Sequence, residues 1–117
     1  MPGRRVLVLL ILLAGAATMA AIAPSALGRG EARVTVTATD FKFRFLPARV
    51  SAGRHTFTLV NRGQATHDLK LAGKKTRILN TGQRATLTVT LKKGRYAYLC
   101  TVPGHAQLGM KGVLVIR

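Results

Sequence analysis

The stretch RATLTVTL (residues 84–91) alternates polar and apolar side chains at every position. A period of two is typical of a β-strand with one buried face, because successive side chains point to opposite sides of the strand. Leu87, Val89 and Leu91 are therefore predicted to point into a hydrophobic core. The turn signal LKKGR begins where this run ends.

The same period recurs along most of the chain. It is found in RVTVTAT (33–39), FKFRF (41–45), HTFTLVN (55–61), HDLKL (67–71) and RYAYLC (95–100), and a short apolar run, GVLVIR (112–117), follows. Turn signals containing Gly, Pro or Asn separate the runs, and no segment has a sustained helical period. About seven short strands without long crossovers predict an all-β fold, a two-sheet antiparallel β-sandwich with Greek-key connections.

Two further apolar stripes are expected to face the core. Val34, Val36 and Ala38 form one, and Phe41, Phe43 and Phe45 form the other. The three phenylalanines could also be a stacking platform for nucleic-acid bases. Their alternation with basic residues is, however, what any half-buried strand shows, so the core interpretation is favoured.

Residues 1–30 differ in composition from the rest of the chain. A basic start, MPGRR, is followed by residues 6–23, which are apolar apart from Thr18. This pattern predicts a signal peptide or an N-terminal hydrophobic anchor helix with a short linker. The folded domain is then residues 31–117. The protein is expected to be exported to the periplasmic or extracellular face, with possible membrane association through this segment.

The predicted domain is strongly basic. Residues 31–117 contain 16 lysines and arginines against three acids, which leaves a formal charge of +13. Such a charge favours anionic partners, and a solvated basic surface near anionic lipid or cell wall is the simplest interpretation. No helical basic stripe, zinc-finger spacing or RNA-binding aromatic motif is present, so nucleic acid is not expected as a partner.

Cys100 is the only cysteine of the chain. Exported proteins normally use cysteines in pairs, so this one cannot belong to an internal disulfide. It could be an inert buried thiol, an intermolecular bridge, a nucleophile or a metal ligand. Tyr96 and Tyr98 share its strand parity, which predicts that all three side chains point inward.

The segment LCTVPGHAQLGM (99–110) places three soft ligands at the spacing C-x4-H-x4-M. A curved loop containing Pro103 can bring Cys100, His105 and Met110 toward one point. His67 is the best fourth donor, because it opens a strand that could lie beside the strand ending at Cys100. His55, in contrast, is expected to be an ordinary exposed histidine.

A thiolate, two imidazoles and a thioether suit a soft transition metal. His2Cys with a weak axial Met is the blue-copper arrangement, whereas zinc could use three of the same ligands. The methionine favours copper over zinc, because a neutral thioether adds little for zinc but suits Cu(I). A single cysteine also fits, since copper requires one thiolate and a second cysteine would invite a disulfide.

These residues resemble the cupredoxins, the family of plastocyanin, azurin, auracyanin and rusticyanin. The resemblance covers residues 32–117 and depends on VTVTATDFKF (34–43), FTLVNRGQATHDLKL (57–71) and GRYAYLCTVPGHAQLGMKGVLVI (94–116). The C-x4-H-x4-M spacing is more similar to auracyanin and rusticyanin than to plastocyanin. The resemblance implies one type 1 copper ion, with His67, Cys100 and His105 as equatorial ligands and Met110 as the axial ligand.

The resemblance also implies a function. It suggests a monomeric carrier of single electrons rather than an enzyme, with His105 in an apolar surface patch formed with Pro103, Ala106 and Leu108. Redox partner proteins with acidic docking surfaces would be steered by the basic charge. An extracytoplasmic copper carrier or chaperone would use the same ligands. A Cys–His enzyme is disfavoured, because no oxyanion arrangement or orienting acid is evident.

One position departs from the family pattern. Many members carry Asn after the first histidine, and this chain has Asp68. A carboxylate there can accept hydrogen bonds from the hydroxyl or the backbone N–H of Thr101, which would keep the tie between the His67 strand and the cysteine loop. Its negative charge is expected to stabilise Cu(II) and so to lower the reduction potential relative to an Asn variant.

Overall fold

The computed structural model describes Gly3, Gly15 and residues 32–117, and this last range forms two four-stranded sheets. The strands are β1 (Ala32–Thr39), β2 (Lys42–Leu46), β3 (Gly53–Asn61), β4 (Lys70–Leu71), β5 (Lys74–Lys75), β6 (Arg84–Leu91), β7 (Gly94–Leu99) and β8 (Lys111–Ile116). One sheet has the order β2-β1-β3-β6 and the other β5-β4-β7-β8. The predicted all-β sandwich is confirmed.

The signal peptide or anchor predicted for residues 1–30 lies outside the described residues, and the boundary at residue 31 stays a prediction. Among the described residues no helix is long and apolar enough to cross a bilayer.

Six of the seven predicted runs form strands of similar extent. The seventh, HDLKL, forms only the two-residue β4, and His67 before it makes an isolated bridge with Leu79. The turn signal after it becomes a short hairpin to β5. One strand pair also refines the antiparallel expectation: β1 and β3 are parallel, with Val34 opposite Phe57. The order of the sheet explains this pair. Strand β2 runs antiparallel to β1, the chain reverses again before β3, and β3 pairs with β1 and not with β2.

The core lies between the two sheets and contains the predicted stripes. The buried members are Val34, Val36, Ala38, Leu87, Val89 and Leu91. The rings of Phe41, Phe43 and Phe45 are half-buried and pack against this core. Phe45 contacts Tyr98, with ring centroids 4.7 Å apart. These contacts support a core role for the phenylalanines instead of a base-stacking platform.

The expectation that His55 is exposed is wrong, because its side chain is completely buried. Strand β3 begins at Gly53, which places residue 55 in the sheet opposite Val89. Strand parity then points His55 to the same side as Phe57 and the core. Its Nδ1 accepts a hydrogen bond from the N–H of Ala32 at 2.9 Å, and its Nε2 donates to the carbonyl of Ser51 at 2.6 Å.

The pairing of β4 with β7 brings two distant segments together. The strands are antiparallel, with Lys70 opposite Leu99. The residues just before Lys70 therefore lie beside the residues just after Leu99. The first of these segments contains His67 and the second begins at Cys100, so the sheet itself determines that the two side chains meet at one end of the sandwich.

Candidate metal centre

Three of the predicted ligands converge at this end of the sandwich. The ligand atoms of His67, Cys100 and His105 all lie within 4.8 Å of one another. Nδ1 of His67 is 3.2 Å from Nδ1 of His105. The sulfur of Cys100 lies 4.0 Å from Nδ1 of His67 and 3.6 Å from Nδ1 of His105. Both histidines thus direct the same ring nitrogen toward the thiol.

Met110 closes the same loop. Its side chain is completely buried. The N–H of Cys100 donates to the carbonyl of Met110 at 3.0 Å, and the N–H of Met110 donates to the carbonyl of His105 at 3.1 Å. Gly109, which precedes Met110, has a φ of 116°, a conformation that favours glycine. These bonds fix the backbone of the fourth predicted ligand directly against the backbones of two others.

The spacing of the three atoms fits a single transition-metal ion. Nitrogen and sulfur ligands lie about 2.0 to 2.3 Å from such an ion, so ligands spread by about 120° are separated by roughly 3.5 to 3.8 Å. The observed separations of 3.2, 3.6 and 4.0 Å bracket these values. A thiol sulfur and two imidazole nitrogens are electron-rich groups that face one another, and a cation among them would satisfy all three.

A carboxylate lies behind the first histidine. Nε2 of His67 is 2.7 Å from Oδ1 of Asp40, in the turn between β1 and β2. The pKa of the Asp40 carboxyl is lowered, first by the hydrogen bond from the N–H of Gln64 and then by His67. Asp40 was not among the residues predicted from the sequence to belong to the site. The only available signal was that acids are rare in this chain, so that an acid in a turn before an apolar strand is unusual.

The predicted tie between Asp68 and Thr101 is confirmed. Asp68 is completely buried, and its Oδ1 accepts a hydrogen bond from the N–H of Thr101 at 2.6 Å. Its Oδ2 accepts a second bond from the Thr101 hydroxyl. Because Asp68 follows His67 and Thr101 follows Cys100, this pair joins the two halves of the site through adjacent residues.

The Cys100 thiol is shielded from water. The residue is 1% exposed, and burial raises the pKa of the thiol above its ordinary value of 9.0. The metal-free site therefore holds a protonated thiol at neutral pH, and a metal ion must displace that proton. The ring of Phe41 packs edge-on against both histidines, with centroids 4.9 Å from His105 and 6.1 Å from His67.

The two histidines differ in their access to solvent. His67 is completely buried, whereas His105 is half-buried on the loop after β7. Near it on this loop, Pro103 is exposed and Leu108 is 62% exposed. The site thus has one protected histidine and one histidine at an apolar stretch of the surface.

The acids of the domain are concentrated at this site. Within residues 32–117 the only acids are Asp40 and Asp68, and they contact His67 and Thr101 respectively. All 16 lysines and arginines in the same range are exposed. The outer surface of the described domain is consequently almost entirely cationic. The two negatively charged side chains of this domain lie inside the site or beside it.

A comparison with known proteins identifies the family. The model of the copper-binding proteins of the plastocyanin/azurin family matches residues 30–117. Auracyanin-B of Chloroflexus aurantiacus is 45% identical over 42 residues, which are 35% of this chain and 18% of that protein. The alignment thus spans about a fifth of the curated relative.

Solved structures show the same fold. Auracyanin A, described as a "blue" copper protein from Chloroflexus aurantiacus, superposes with a TM-score of 0.62 at 21% identity over 75% of this chain and 100% of that one. Reduced rusticyanin gives 0.63 at 20% identity over 75% and 80%. Auracyanin from Roseiflexus castenholzii gives 0.60 at 22% identity over 73% and 96%. The protein is a cupredoxin, a member of the plastocyanin/azurin family of copper-binding proteins, and its cofactor is copper.

Proposed function

We propose that this protein carries single electrons between redox partners through one type 1 copper ion, held by His67, Cys100, His105 and Met110. The observation that carries the proposal is the convergence of two imidazole nitrogens and one thiol sulfur within 4.8 Å. Met110 lies buried beside them, hydrogen-bonded through its backbone to Cys100 and His105. This is the ligand chemistry of a blue-copper site.

Copper, when bound, would supply a centre that gains and loses one electron. The protein supplies a site whose ligands are placed before the ion binds. His67 is held by its second ring nitrogen, and the Asp68–Thr101 bonds tie the two ligand-bearing segments together. Rigid placement reduces the rearrangement that accompanies a change of oxidation state. Burial of Cys100 keeps water and oxidants away from the thiolate.

The half-buried His105 and the exposed Leu108 support an electron-transfer contact at this end of the molecule. An apolar patch lets a partner approach closely without desolvating charges. The exposed lysines and arginines would attract partners with acidic docking surfaces, mainly by raising the association rate at low salt. Residues 1–30 would direct the domain to the extracytoplasmic side of the membrane or hold it there.

Addition of Cu(II) to the metal-free full-length protein tests the proposal. We expect one copper per chain, an intense blue colour from the bond between copper and thiolate, and a reversible one-electron potential. Cys100→Ser should remove the colour. A colourless complex, or a preference for zinc over copper, would contradict the proposal. Rapid transfer of copper to a metal-free acceptor protein, without reversible redox cycling, would instead favour a copper carrier.

A further inference from the structure

We propose that Asp40 is a positioning residue for the copper site, which fixes the tautomer and orientation of His67. The inference rests on the proposed function, since it assigns a role toward the same metal. Asp40 is not placed to bind the ion itself. Its Oδ1 contacts Nε2 of His67, and the ring nitrogen that faces Cys100 is Nδ1.

The chemistry follows from which nitrogen carries the proton. A carboxylate accepts hydrogen bonds, so the contact of 2.7 Å requires the proton on Nε2 of His67. Nδ1 then presents a lone pair toward His105 and Cys100, as a metal ligand must. A carboxylate on the far nitrogen also raises the basicity of the imidazole, which strengthens its bond to a cation.

The carboxylate is itself held in place. Oδ2 of Asp40 accepts hydrogen bonds from the N–H groups of Gln64 at 2.9 Å and Ala65 at 3.4 Å, and Oδ1 lies 3.2 Å from the latter. Asp40 thus connects the β1–β2 turn to the loop that leads from β3 to His67. A carboxylate restrained by two backbone donors can restrain the imidazole in turn.

The backbone at Gly63 leaves just enough space for the side chains of Asp40 and His67. A Cβ atom on Gly63 would lie 2.3 Å from Oδ1 of Asp40 and 2.9 Å from Nε2 of His67. Both distances are shorter than any normal contact. Gly63 is buried, and its N–H donates to the side-chain carbonyl of Asn61 at 2.8 Å, so its backbone has little freedom to retreat. A glycine at this position allows Asp40 and His67 to approach each other.

The other histidine has no comparable arrangement. The side-chain hydrogen bonds that the structure gives for His105, among residues 32–117, involve only Nδ1 of its ring, which faces His67 and Cys100. Asp40 therefore acts on one side of the site only. We infer that the site consists of a preset ligand, His67, and a more adaptable ligand, His105.

Asp40→Ala and Asp40→Asn in the full-length protein test this role. In Asp40→Ala we expect the affinity for Zn(II), a redox-inert probe, and for copper to fall about 10- to 100-fold. Asp40→Asn keeps a carbonyl acceptor but not the charge, so its loss should be smaller. Both variants should raise the reduction potential of the copper form, because a less basic imidazole stabilises Cu(II) less.

A second readout needs no metal. In the metal-free protein, nitrogen NMR shifts should show His67 with its proton on Nε2 in the wild type and a mixture of tautomers in Asp40→Ala. Gly63→Ala should reproduce the loss of zinc affinity, because its methyl group displaces the same pair. Gln64→Ala is the matched control, since it removes an exposed side chain but keeps the N–H that donates to Asp40.

Unchanged zinc affinity together with an unchanged His67 tautomer in Asp40→Ala would overturn the inference. If that variant does not fold, Asp40→Asn and Gly63→Ala decide, and an affinity within twofold of wild type in both would also overturn it. Failure of the proposed function has a different signature. A wild-type copper complex that is colourless or redox-inactive would contradict electron transfer, while the tautomer and zinc measurements would still report on Asp40.

Discussion

His55 and His67 lie at opposite ends of the sandwich, and both are completely buried. His55 sits near the start of β3, and His67 follows the loop after its other end. Each uses Nε2 to donate to an oxygen, the Ser51 carbonyl in one case and the Asp40 carboxylate in the other. The difference lies in Nδ1. At His55 it accepts the N–H of Ala32, whereas at His67 it faces a second imidazole and a thiol.

This contrast separates a structural histidine from a metal ligand more clearly than burial does. A buried imidazole whose nitrogens both bond to the backbone is satisfied, and it fastens the strands around it. A buried imidazole whose lone pair faces other electron-rich atoms requires a cation or a shared proton. The two ends of the molecule therefore differ. At the His55 end the polypeptide alone satisfies the buried ring nitrogens, whereas at the His67 end a metal ion is required to satisfy them.

The largest test of this contrast replaces each histidine in turn. His67→Ala removes a ligand, and we expect copper affinity to fall by more than about 100-fold and the blue colour to be lost. His55→Ala should keep one blue copper per chain. It should instead lower the free energy of unfolding of the metal-free protein by about 2 to 4 kcal/mol, because a cavity forms and two backbone groups lose their partners.

Copper titration and chemical unfolding measure the two effects separately. The assignment of His55 as a structural residue would be contradicted if His55→Ala lost copper binding while its metal-free form remained as stable as the wild type.

The second test concerns the proton on Cys100. Because burial raises the pKa of this thiol above 9.0, the metal-free folded protein binds one more proton than its complex with a metal at pH 8. Zinc binding should therefore release about one proton from this group, and the affinity should rise about tenfold per pH unit between roughly pH 7.5 and 8.5. Calorimetry in buffers of different ionisation enthalpy measures the number of protons released when zinc binds. Cys100→Ser should lose this release, and a wild-type value near zero would show that the thiolate is already formed.

The same thiol links pH to folding. A group whose pKa is higher in the folded state than in the unfolded state stabilises the fold fully at pH values below its unfolded pKa. That contribution is lost as pH rises through the folded value. The metal-free protein should accordingly lose stability as the pH rises above 9.0, and Cys100→Ser should lose less.

Most of the fold could be predicted from period-two alternation, because one buried face was enough to identify β1, β3 and β6. The parallel pairing of β1 with β3 could not be predicted, since the alternation does not indicate that β3 pairs with β1 instead of with β2. The exposure of His55 was predicted wrongly for a related reason. The predicted strand began at His55, whereas β3 begins two residues earlier, so His55 lies inside the sheet opposite Val89 and not at its edge.

The site was predictable as far as its soft ligands extend. Cys100, His105 and Met110 share one short loop, so their spacing alone indicated convergence. Asp40 was not predictable, because it lies 27 residues from His67 and reaches it across the end of a sheet. Hydrogen-bond partners of ligands are chosen by the tertiary fold, and a carboxylate in a turn has no local pattern that distinguishes it from a solvated acid.

A smaller effect is expected at the tie between Asp68 and Thr101. Thr101→Val removes the hydroxyl that donates to a buried carboxylate, so it should lower the free energy of unfolding by about 1 to 3 kcal/mol.

Asp68→Asn removes the charge of the same carboxylate. We expect the reduction potential of the copper form to rise, because Cu(II) loses a nearby negative charge. Voltammetry measures the reduction potential of Asp68→Asn, and chemical unfolding measures the stability of Thr101→Val. A potential that is unchanged or lower in Asp68→Asn would contradict the electrostatic interpretation.

The smallest predicted effect concerns charge at the surface. Residues 32–117 expose 16 lysines and arginines, and the only exposed acid among them is Asp40, which is engaged with His67 at the site. Two molecules that exchange an electron through the His105 end must then repel each other. Raising the ionic strength from about 0.01 to 0.1 M shortens the screening length from about 30 to 10 Å, so electron self-exchange should become several-fold faster.

Line broadening in NMR spectra of mixed oxidation states measures that rate. Arg62 is exposed in the loop before His67, so Arg62→Gln should raise the rate at low salt and reduce its dependence on salt. Exchange that slows as salt is added would mean that the contacting surfaces attract each other. A rate that does not change with salt would also contradict the prediction, because the cationic charge would then lie away from the contact and the apolar residues around His105 would account for the encounter.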